Sequence, residues 1–249
     1  MGAKDGGFEI GVRFALEAIL SSPHFLLRME HEPNEIAPGD VYTLDDMALA
    51  KRLSFFIWGT NPDAELLRLA NQGKLSRNRV LKAQVQRMLA DPRSEALATR
   101  FASLWLRLQD LEKVEPDSFS FPNYSQQLMT AMRRETELFF YNLVREDRSM
   151  LELYNANYSF LNQRLAEHYG IPNVLGEEFR KVEYTDGQRR GILGHGSILV
   201  QTSLGNRTSP VLRGKWVLEV LLGAPPPPPP PGIPAVSYTH LTLPTSDLV

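Results

Sequence analysis

The chain has 249 residues, of which 43% are hydrophobic and 22% charged, and it contains no cysteine. This composition excludes a disordered or disulfide-stapled chain, and within these residues it excludes thiolate metal sites, iron–sulfur clusters, covalently attached haem and cysteine nucleophiles. With 27 basic against 29 acidic residues, the charge predicts neither a nucleic-acid partner nor binding to an anionic membrane surface. No apolar run reaches the roughly 18 residues of a membrane span, so none is predicted.

The predicted helices follow from apolar residues that repeat with a period of about 3.6 residues. In chain order they cover about residues 8–20, 44–57, 63–70, 79–90, 94–108, 128–143, 159–169 and 210–222. Thr43 resembles the first residue of a capping box for the second helix. Asp91 and Pro92 separate the fourth helix from the fifth. Residues 180–185 are the exception to this helical pattern, and a strand is the alternative there.

Because β-branched alternation is nearly absent, the predicted fold class is all-α, a multi-helix bundle with a smaller C-terminal helical piece and a polyproline segment. Seven consecutive prolines, residues 225–231, are expected to form a stiff polyproline II rod. The predicted domains, in chain order, are the end of a preceding helical domain (1–41), a main helical domain (42–172), a weakly periodic connector (173–189) and the truncated start of a C-terminal helical domain (190–235).

The last fourteen residues, 236–249, share no periodicity with the rest of the chain. Their sequence matches the translation of a transposase-based sequencing adapter. We therefore expect this tail to be a sequencing-adapter artefact in a metagenomic fragment, and the natural protein to continue differently after Ala235. We also expect the natural N-terminal end, including any signal peptide, to be missing.

A cluster of basic side chains precedes and opens the last predicted helix. Thr208 or Ser209 is expected to cap that helix, while Arg207, Arg213 and Lys215 crowd its positive end. One hypothesis is an anion-binding site at Arg207, Thr208, Ser209 and Arg213. The alternative, which is the commoner use of such a cluster, is that carboxylates from the upstream domain pair with these cations.

His195, between two glycines, is the remaining member of the predicted anion-binding set. A packed histidine is the simpler interpretation, because no G-x-S-x-G elbow and no neighbouring acidic residue support nucleophilic catalysis. Glu135 and Glu137 are candidate acid–base residues, but two preceding arginines favour a solvated, salt-bridged helix face. No metal-ligand spacing is present among His24, His31 and His168.

Several of these segments carry a resemblance to known families. Residues 8–28 resemble the end of a planctomycete-type domain of unknown function, family 1595. Four motifs resemble family 1592, namely residues 52–58 (RLSFFIW), 88–93 (MLADPR), 135–140 (ETELFF) and 161–171 (LNQRLAEHYGI). Residues 190–193 (RGIL), 207–216 (RTSPVLRGKW) and 221–223 (LLG), followed by the prolines, resemble the opening of family 1588.

The resemblance implies a fragment of a much larger, secreted or periplasmic protein in which c-type cytochrome modules are common. It implies that haem c is attached by a C-x-x-C-H motif in the missing remainder of the last domain, with no cofactor in the residues present. The expected partners are other domains of the full-length protein, including cytochrome modules. The family supplies no established catalytic residues to carry over.

Two functions are therefore open. The leading hypothesis is a non-catalytic helical scaffold or interaction region of an extracytoplasmic, haem-bearing redox protein. The alternative is an enzyme or binding domain that acts on an anionic substrate such as a polysaccharide, in an interdomain cleft lined by Arg207, Arg213 and His195. The proline run is interpreted as a spacer in preference to a ligand for an aromatic groove.

Overall fold

A computed structural model describes residues 7–27, 36–37, 39–185 and 187–227 of the chain. Within these ranges the chain forms two compact units. Of the described residues, the first unit takes those up to 55 and residues 60–87, and the second takes residues 56–59 and those from 88 to 227. The predicted tail, the last prolines and His31 lie outside the described residues.

The first unit is helical. Its helices are α1 (Phe8–Leu20), α2 (Pro23–Leu26), α3 (Asp46–Ile57), α4 (Ala64–Asn71) and α5 (Asn78–Ala90), of which α3 and α5 end in the second unit. Asp45 caps α3 by accepting from the Ala48 N–H at 2.7 Å, so the prediction of Thr43 as the cap is corrected. Asp63 caps α4 in the same way, with a 3.0 Å bond from the Leu66 N–H.

The second unit is built around one long helix. Its helices are α6 (Ser103–Trp105), α7 (Gln126–Arg145), α8 (Glu152–Asn155), α9 (Gln163–Tyr169), α10 (Gly196–Gln201) and α11 (Pro210–Trp216). Ser125 caps α7 by accepting from the Leu128 N–H at 3.2 Å. The apolar face of α7 packs on α9, where Met132, Leu161 and Leu165 are buried in one cluster. This burial of apolar surface is the main source of the unit's stability.

Two small antiparallel sheets correct the all-α prediction to a mostly helical fold. Strand β1 (Tyr158–Leu161) pairs with β2 (Arg180–Glu183), so the helix predicted from residue 159 begins only at Gln163, after the Asn162 cap. The strand alternative for residues 180–185 is confirmed. A second pair, β3 (Ser203–Leu204) and β4 (Arg207–Thr208), forms a hairpin over Gly205 and Asn206 that was not predicted.

The C-terminal helices belong to the second unit. Helix α11 continues into a π-helical turn (Val217–Leu221) and ends before Gly223 at φ +60°, in agreement with the predicted helix over 210–222. Trp105 Nε1 donates to the Val220 carbonyl at 2.9 Å, which ties this end of the chain to the segment before α7. Residues 225–227 form no helix or strand, and the rest of the proline run lies outside the described part.

The segment predicted as one helix over residues 94–108 is broken into shorter turns. It consists of a 3₁₀ turn (Pro92–Glu95), a π-helical turn (Leu97–Ala102) and α6. Arg107 then adopts a left-handed conformation at φ 55°, which separates α6 from a further 3₁₀ helix (Leu108–Lys113). The apolar period predicted the helical character of this segment, while its hydrogen-bonding pattern changes twice along the way.

Candidate functional site

A cluster of polar side chains lies inside the second unit, and we call it the Glu135 cluster. Helix α7 contributes Glu135 and Thr136, β1 contributes Ser159, and α9 contributes Tyr169. The start of α10 contributes His195 and Ser197. Its members are Glu135, Thr136, Ser159, Tyr169, His195 and Ser197. Glu135 and Ser159 are 0% exposed and His195 is 2% exposed. These groups therefore depend on one another for hydrogen bonds.

Both carboxylate oxygens of Glu135 accept hydrogen bonds. The Ser159 hydroxyl donates to Oε1 at 2.7 Å, and the Tyr169 hydroxyl donates to Oε2 at 2.6 Å. The Tyr169 oxygen in turn accepts from the Gly196 N–H at 2.6 Å. This arrangement corrects the prediction that Glu135 belongs to a solvated, salt-bridged face.

The His195 ring is engaged at both nitrogens. Ser159 Oγ lies 3.3 Å from Nε2, and Thr136 Oγ1 lies 2.9 Å from Nδ1. Because Ser159 donates its proton to Glu135, it accepts from Nε2–H, so that Nδ1 accepts from Thr136. Ser197 then donates to Thr136 across 2.7 Å. The packed interpretation of His195 therefore agrees with the structure.

Burial sets the protonation of the cluster. It raises the pKa of Glu135 to about 7, against the lowering effect of the hydrogen bonds from Tyr169 and Ser159 and of the nearby Arg189. Burial also lowers the pKa of His195 to about 3, with Arg189 adding to that shift. The histidine is therefore neutral at physiological pH, while the carboxyl group titrates near neutrality.

The cluster contains serine, histidine and glutamate, yet its order is not that of a nucleophilic triad. In a triad the histidine lies between the nucleophile and the acid. Here Ser159 lies between Glu135 and His195, and all three side chains are closed off from solvent. This geometry serves to satisfy buried polar groups and offers no atom to a substrate.

Glu137, the other predicted acid–base candidate, is used structurally. It is only 9% exposed. It accepts from Ser103 at 3.1 Å and pairs with Arg134 at 3.3 Å. Arg133, the other of the two preceding arginines, pairs with Glu112 at 2.9 Å. The predicted ion pairing of Glu137 with an arginine is therefore confirmed, but Glu137 does not lie on a solvated helix face.

A cavity of about 480 Å³ lies elsewhere in the second unit, and we call it the C-terminal cavity. It is formed by the loop before α7, by α10, by the β3–β4 hairpin and by α11. Its lining includes Arg207, Thr208 and Arg213, three of the residues in the predicted anion-binding set. The other lining residues are Val114, Pro116, Ser120, Phe121, Pro122, Asn123, Tyr124, Met132, His168, Leu199, Val200, Ser203, Leu204 and Gly205.

The two arginines of the C-terminal cavity form no ion pair with the described residues of the second unit. The Arg213 Nε–H donates to Thr202 Oγ1 at 3.4 Å, which is a neutral partner. Lys215, the third cation of the basic cluster, pairs with Glu219 at 3.5 Å. Glu219 follows Lys215 on the same helical path and does not belong to the upstream domain, so among the described residues of this unit the expected upstream carboxylates are found for none of the three cations.

The other two members of the predicted anion-binding set lie differently. Ser209 caps α11 by accepting from the Leu212 N–H at 3.3 Å, and it is not among the residues that line the C-terminal cavity. His195 belongs to the Glu135 cluster and does not line the C-terminal cavity. The structure thus brings together Arg207, Thr208 and Arg213, and it sets His195 apart from them.

Sequence reasoning missed two parts of these sites. The Glu135 cluster draws on four elements between residues 135 and 197, and only the tight spacing of Gly194, His195 and Gly196 indicated it. An added Cβ on Gly196 would lie 2.8 Å from the Tyr169 hydroxyl, which shows why a glycine is needed there. The sequence around Tyr124 predicts only a proline-containing loop and does not indicate that this loop forms a cavity wall.

The described residues contain neither a cluster of metal ligands nor a membrane span. No group of three histidine, aspartate or glutamate side chains there is arranged to hold a metal ion. No described helix is both long and apolar enough to cross a membrane.

Comparisons with known families identify two matches in order along the chain. Residues 44–171 match the model of PSD4, "Protein of unknown function (DUF1592)". Residues 189–246 match the model of PSCyt3, "Protein of unknown function (DUF1588)". The second match extends past Ala235, and the adapter origin of residues 236–249 stays a prediction. No curated protein and no solved structure matches the chain.

Proposed function

We propose that this chain, which belongs to the DUF1592 family of proteins of unknown function, is a non-catalytic helical module that binds an anion within a larger, extracytoplasmic, haem-bearing redox protein. The observation that carries the binding role is that two arginines, Arg207 and Arg213, line one cavity. Guanidinium groups bind carboxylate and phosphate through paired hydrogen bonds. Thr208 adds a hydroxyl beside them.

The non-catalytic part of the proposal is supported by how the reactive side chains are used. Glu135, Ser159 and His195 satisfy one another in the interior, and a general acid, base or nucleophile must reach the reacting atoms. A module with such an interior is suited to hold a ligand or a neighbouring domain in place.

The redox context is supported by the resemblance to families whose members carry c-type cytochrome modules. The residues present do not fit a covalently attached haem, because the chain has no cysteine to form the thioether bonds. Haem c is therefore proposed for the remainder of the natural protein, and the proline run is proposed as the spacer towards it. Sequencing the source DNA beyond the Ala235 codon tests this context, with a C-x-x-C-H motif as the expected result.

The alternative function, catalysis on an anionic polysaccharide, needs Arg207, Arg213 and His195 around one substrate. Only the two arginines share a cavity, and His195 is enclosed in the Glu135 cluster. This separation favours the binding module. Turnover of a uronic or sulfated polysaccharide by this chain, lost in both His195→Gln and Arg207→Gln at unchanged melting temperature, would restore the enzyme hypothesis.

Calorimetric titration with inorganic phosphate tests the anion-binding role. We expect wild-type protein to bind phosphate, and an Arg207→Gln, Arg213→Gln double variant to bind it about tenfold more weakly or worse, because each charged hydrogen bond contributes on the order of 1.5–3 kcal/mol. Arg79→Gln, an exposed arginine of the first unit, is the matched control and should leave binding unchanged. Equal binding by all three proteins would contradict the proposal.

A further inference from the structure

The walls of the C-terminal cavity are largely apolar. Phe121, Leu199, Val200 and Leu204 all face it, with two prolines from the loop before α7. A saccharide carries a hydroxyl on almost every carbon and needs polar partners on most sides, whereas these walls offer few. Apolar walls with a small number of polar groups are typical of sites for small molecules with an apolar body, and the volume lies within the usual range for such sites.

The cationic groups of the cavity come from one corner of the fold. Arg207 lies on β4 opposite Leu204, and Arg213 is hydrogen-bonded to Thr202, the residue before β3. Among the described residues, no aspartate or glutamate lines the cavity. Asp117, which lies next to the lining, accepts two hydrogen bonds from Ser120, at 2.9 and 2.6 Å. The cavity therefore presents positive charge at this corner and calls for an anionic group there.

A further polar group in the lining is the Tyr124 hydroxyl. It is buried and has no hydrogen-bond partner among the described residues. A buried hydroxyl without a partner is unfavourable, so a bound molecule that supplies one would be stabilised. His168 also lines the cavity, and burial lowers the pKa of its ring, so it adds a neutral imidazole that can donate or accept.

We propose that the C-terminal cavity binds a small organic carboxylate with an apolar body, whose carboxylate pairs with Arg207 and Arg213 while the body lies against Phe121, Leu199 and Leu204. This inference rests on the proposed function, because it names the class of anion that the module holds. It excludes a polysaccharide as the preferred ligand. It also separates the roles of the lining residues, with charge from the two arginines and apolar contact from Leu204, α10 and the loop before α7.

Calorimetry on the full chain at pH 7 with 4-phenylbutyrate, 4-phenylbutan-1-ol, inorganic phosphate and galacturonate tests the inference. We expect phenylbutyrate to bind about tenfold more tightly than any of the other three. The alcohol lacks the charge, while phosphate and galacturonate lack the apolar body. Arg207→Gln should weaken phenylbutyrate binding by about tenfold, towards the affinity of the alcohol.

A wall variant separates the apolar contribution from the charge. Leu204 is 40% exposed, so Leu204→Gln should fold normally, and we expect it to weaken phenylbutyrate binding severalfold while leaving phosphate binding unchanged. Leu218→Gln is the matched control, since Leu218 is 37% exposed and does not line the cavity. Melting temperatures of all variants establish that they are folded.

The outcomes distinguish this inference from the proposed function. Arginine-dependent binding of phosphate, with phenylbutyrate no tighter, would overturn the inference and leave the proposed function standing. Binding of none of the four probes would overturn both. Tighter binding of galacturonate would overturn the inference in favour of a saccharide. A dimer in light scattering that binds no phenylbutyrate would overturn it in favour of a second copy as the occupant.

Discussion

The Glu135 cluster and the C-terminal cavity handle charged and polar groups in opposite ways. In the cluster, a carboxyl, an imidazole and four hydroxyls satisfy one another without solvent. In the cavity, two guanidinium groups and a buried tyrosine hydroxyl have no acidic partner among the described residues of the same unit. The comparison shows that residues with catalytic chemistry can be structural, while arginines that line a cavity without an acidic partner among the described residues suit an anionic ligand.

The largest expected effect is on the cluster. Glu135→Ala would leave the hydroxyls of Ser159 and Tyr169 without their acceptor and open a small cavity, so we expect the free energy of unfolding to fall by about 3 kcal/mol or more. Glu135→Gln retains an acceptor and should cost less. Urea denaturation measures both, and Glu146→Ala, at the exposed end of α7, is the control expected within about 0.5 kcal/mol of wild type. A loss of stability no larger for Glu135→Ala than for the control would show that the hydrogen bonds of the Glu135 cluster do not stabilise the fold.

The pH dependence of stability should show the two buried groups acting against each other. The folded pKa of Glu135 is raised from 4.5 to about 7, so its contribution is fully present below pH 4.5 and is lost as the pH rises towards 7. The folded pKa of His195 is lowered from 6.5 to about 3, so its contribution is present above pH 6.5 and is lost as the pH falls. The two slopes cancel between about pH 4.5 and 6.5.

Comparison with Glu135→Gln isolates the carboxyl group. The difference in unfolding free energy between the two proteins should shift by about 3 kcal/mol between pH 4.5 and 7.5, with wild type losing stability relative to the variant as the pH rises. Taking the difference cancels the titration of other groups. A difference that stays constant with pH would show that Glu135 titrates normally and is not buried as described.

Gly196 lies where the two regions meet. A Cβ there would lie 2.8 Å from the Tyr169 hydroxyl of the cluster and 2.9 Å from Cγ of Met132, which lines the cavity. We expect Gly196→Ala to lower the free energy of unfolding by about 1–3 kcal/mol and to weaken phenylbutyrate binding as well. Gly214→Ala in α11 meets nothing within 4 Å and is the control, expected to be neutral or slightly stabilising. An unaffected binding constant in folded Gly196→Ala would show that the regions are independent.

The smallest effect on stability is expected at the cavity arginines. Arg207→Gln removes no hydrogen bond or ion pair within the described residues of the second unit, so the free energy of unfolding should change by no more than about 0.5 kcal/mol. Thermal denaturation without ligand measures this. A much larger loss would show that Arg207 has a structural partner, and it would remove the reason to assign Arg207 to a ligand.

Local rules recovered much of the helical structure. The apolar period located α1, α4, α5 and α7, and the proline and glycine around α11 predicted its start and the end of its π-helical continuation. These signals work because they depend on neighbours in the chain. The cap of α3 was misplaced by two residues, since Thr43 and Asp45 both suit such a position and only the backbone path selects between them.

Long-range contacts account for what the sequence did not reveal. Residues 158–161 form a strand because residues 180–183 pair with them, and a periodic apolar pattern is compatible with either structure. Glu135 follows two arginines on a helix, which is typical of a solvated face, yet β1 and α9 cover it with hydroxyls placed to bind it. The sequence places Arg207 and Arg213 in one basic cluster, but the cavity that they line depends on a loop about 90 residues earlier.

The hydrogen bonds of the Glu135 cluster run in one direction only while the carboxyl is ionised, from His195 through Ser159 to Glu135, and from Ser197 through Thr136 to His195. A proton taken up on Oε1 of Glu135 reverses this order, because Ser159 must then donate to Nε2 and the imidazole must donate from Nδ1 to Thr136. The tautomer of His195 is therefore a record of whether Glu135 is charged. The protonation of one carboxyl group thus decides, through the Ser159 hydroxyl, which ring nitrogen of His195 carries the proton. The nitrogen chemical shifts of that ring can be measured by NMR.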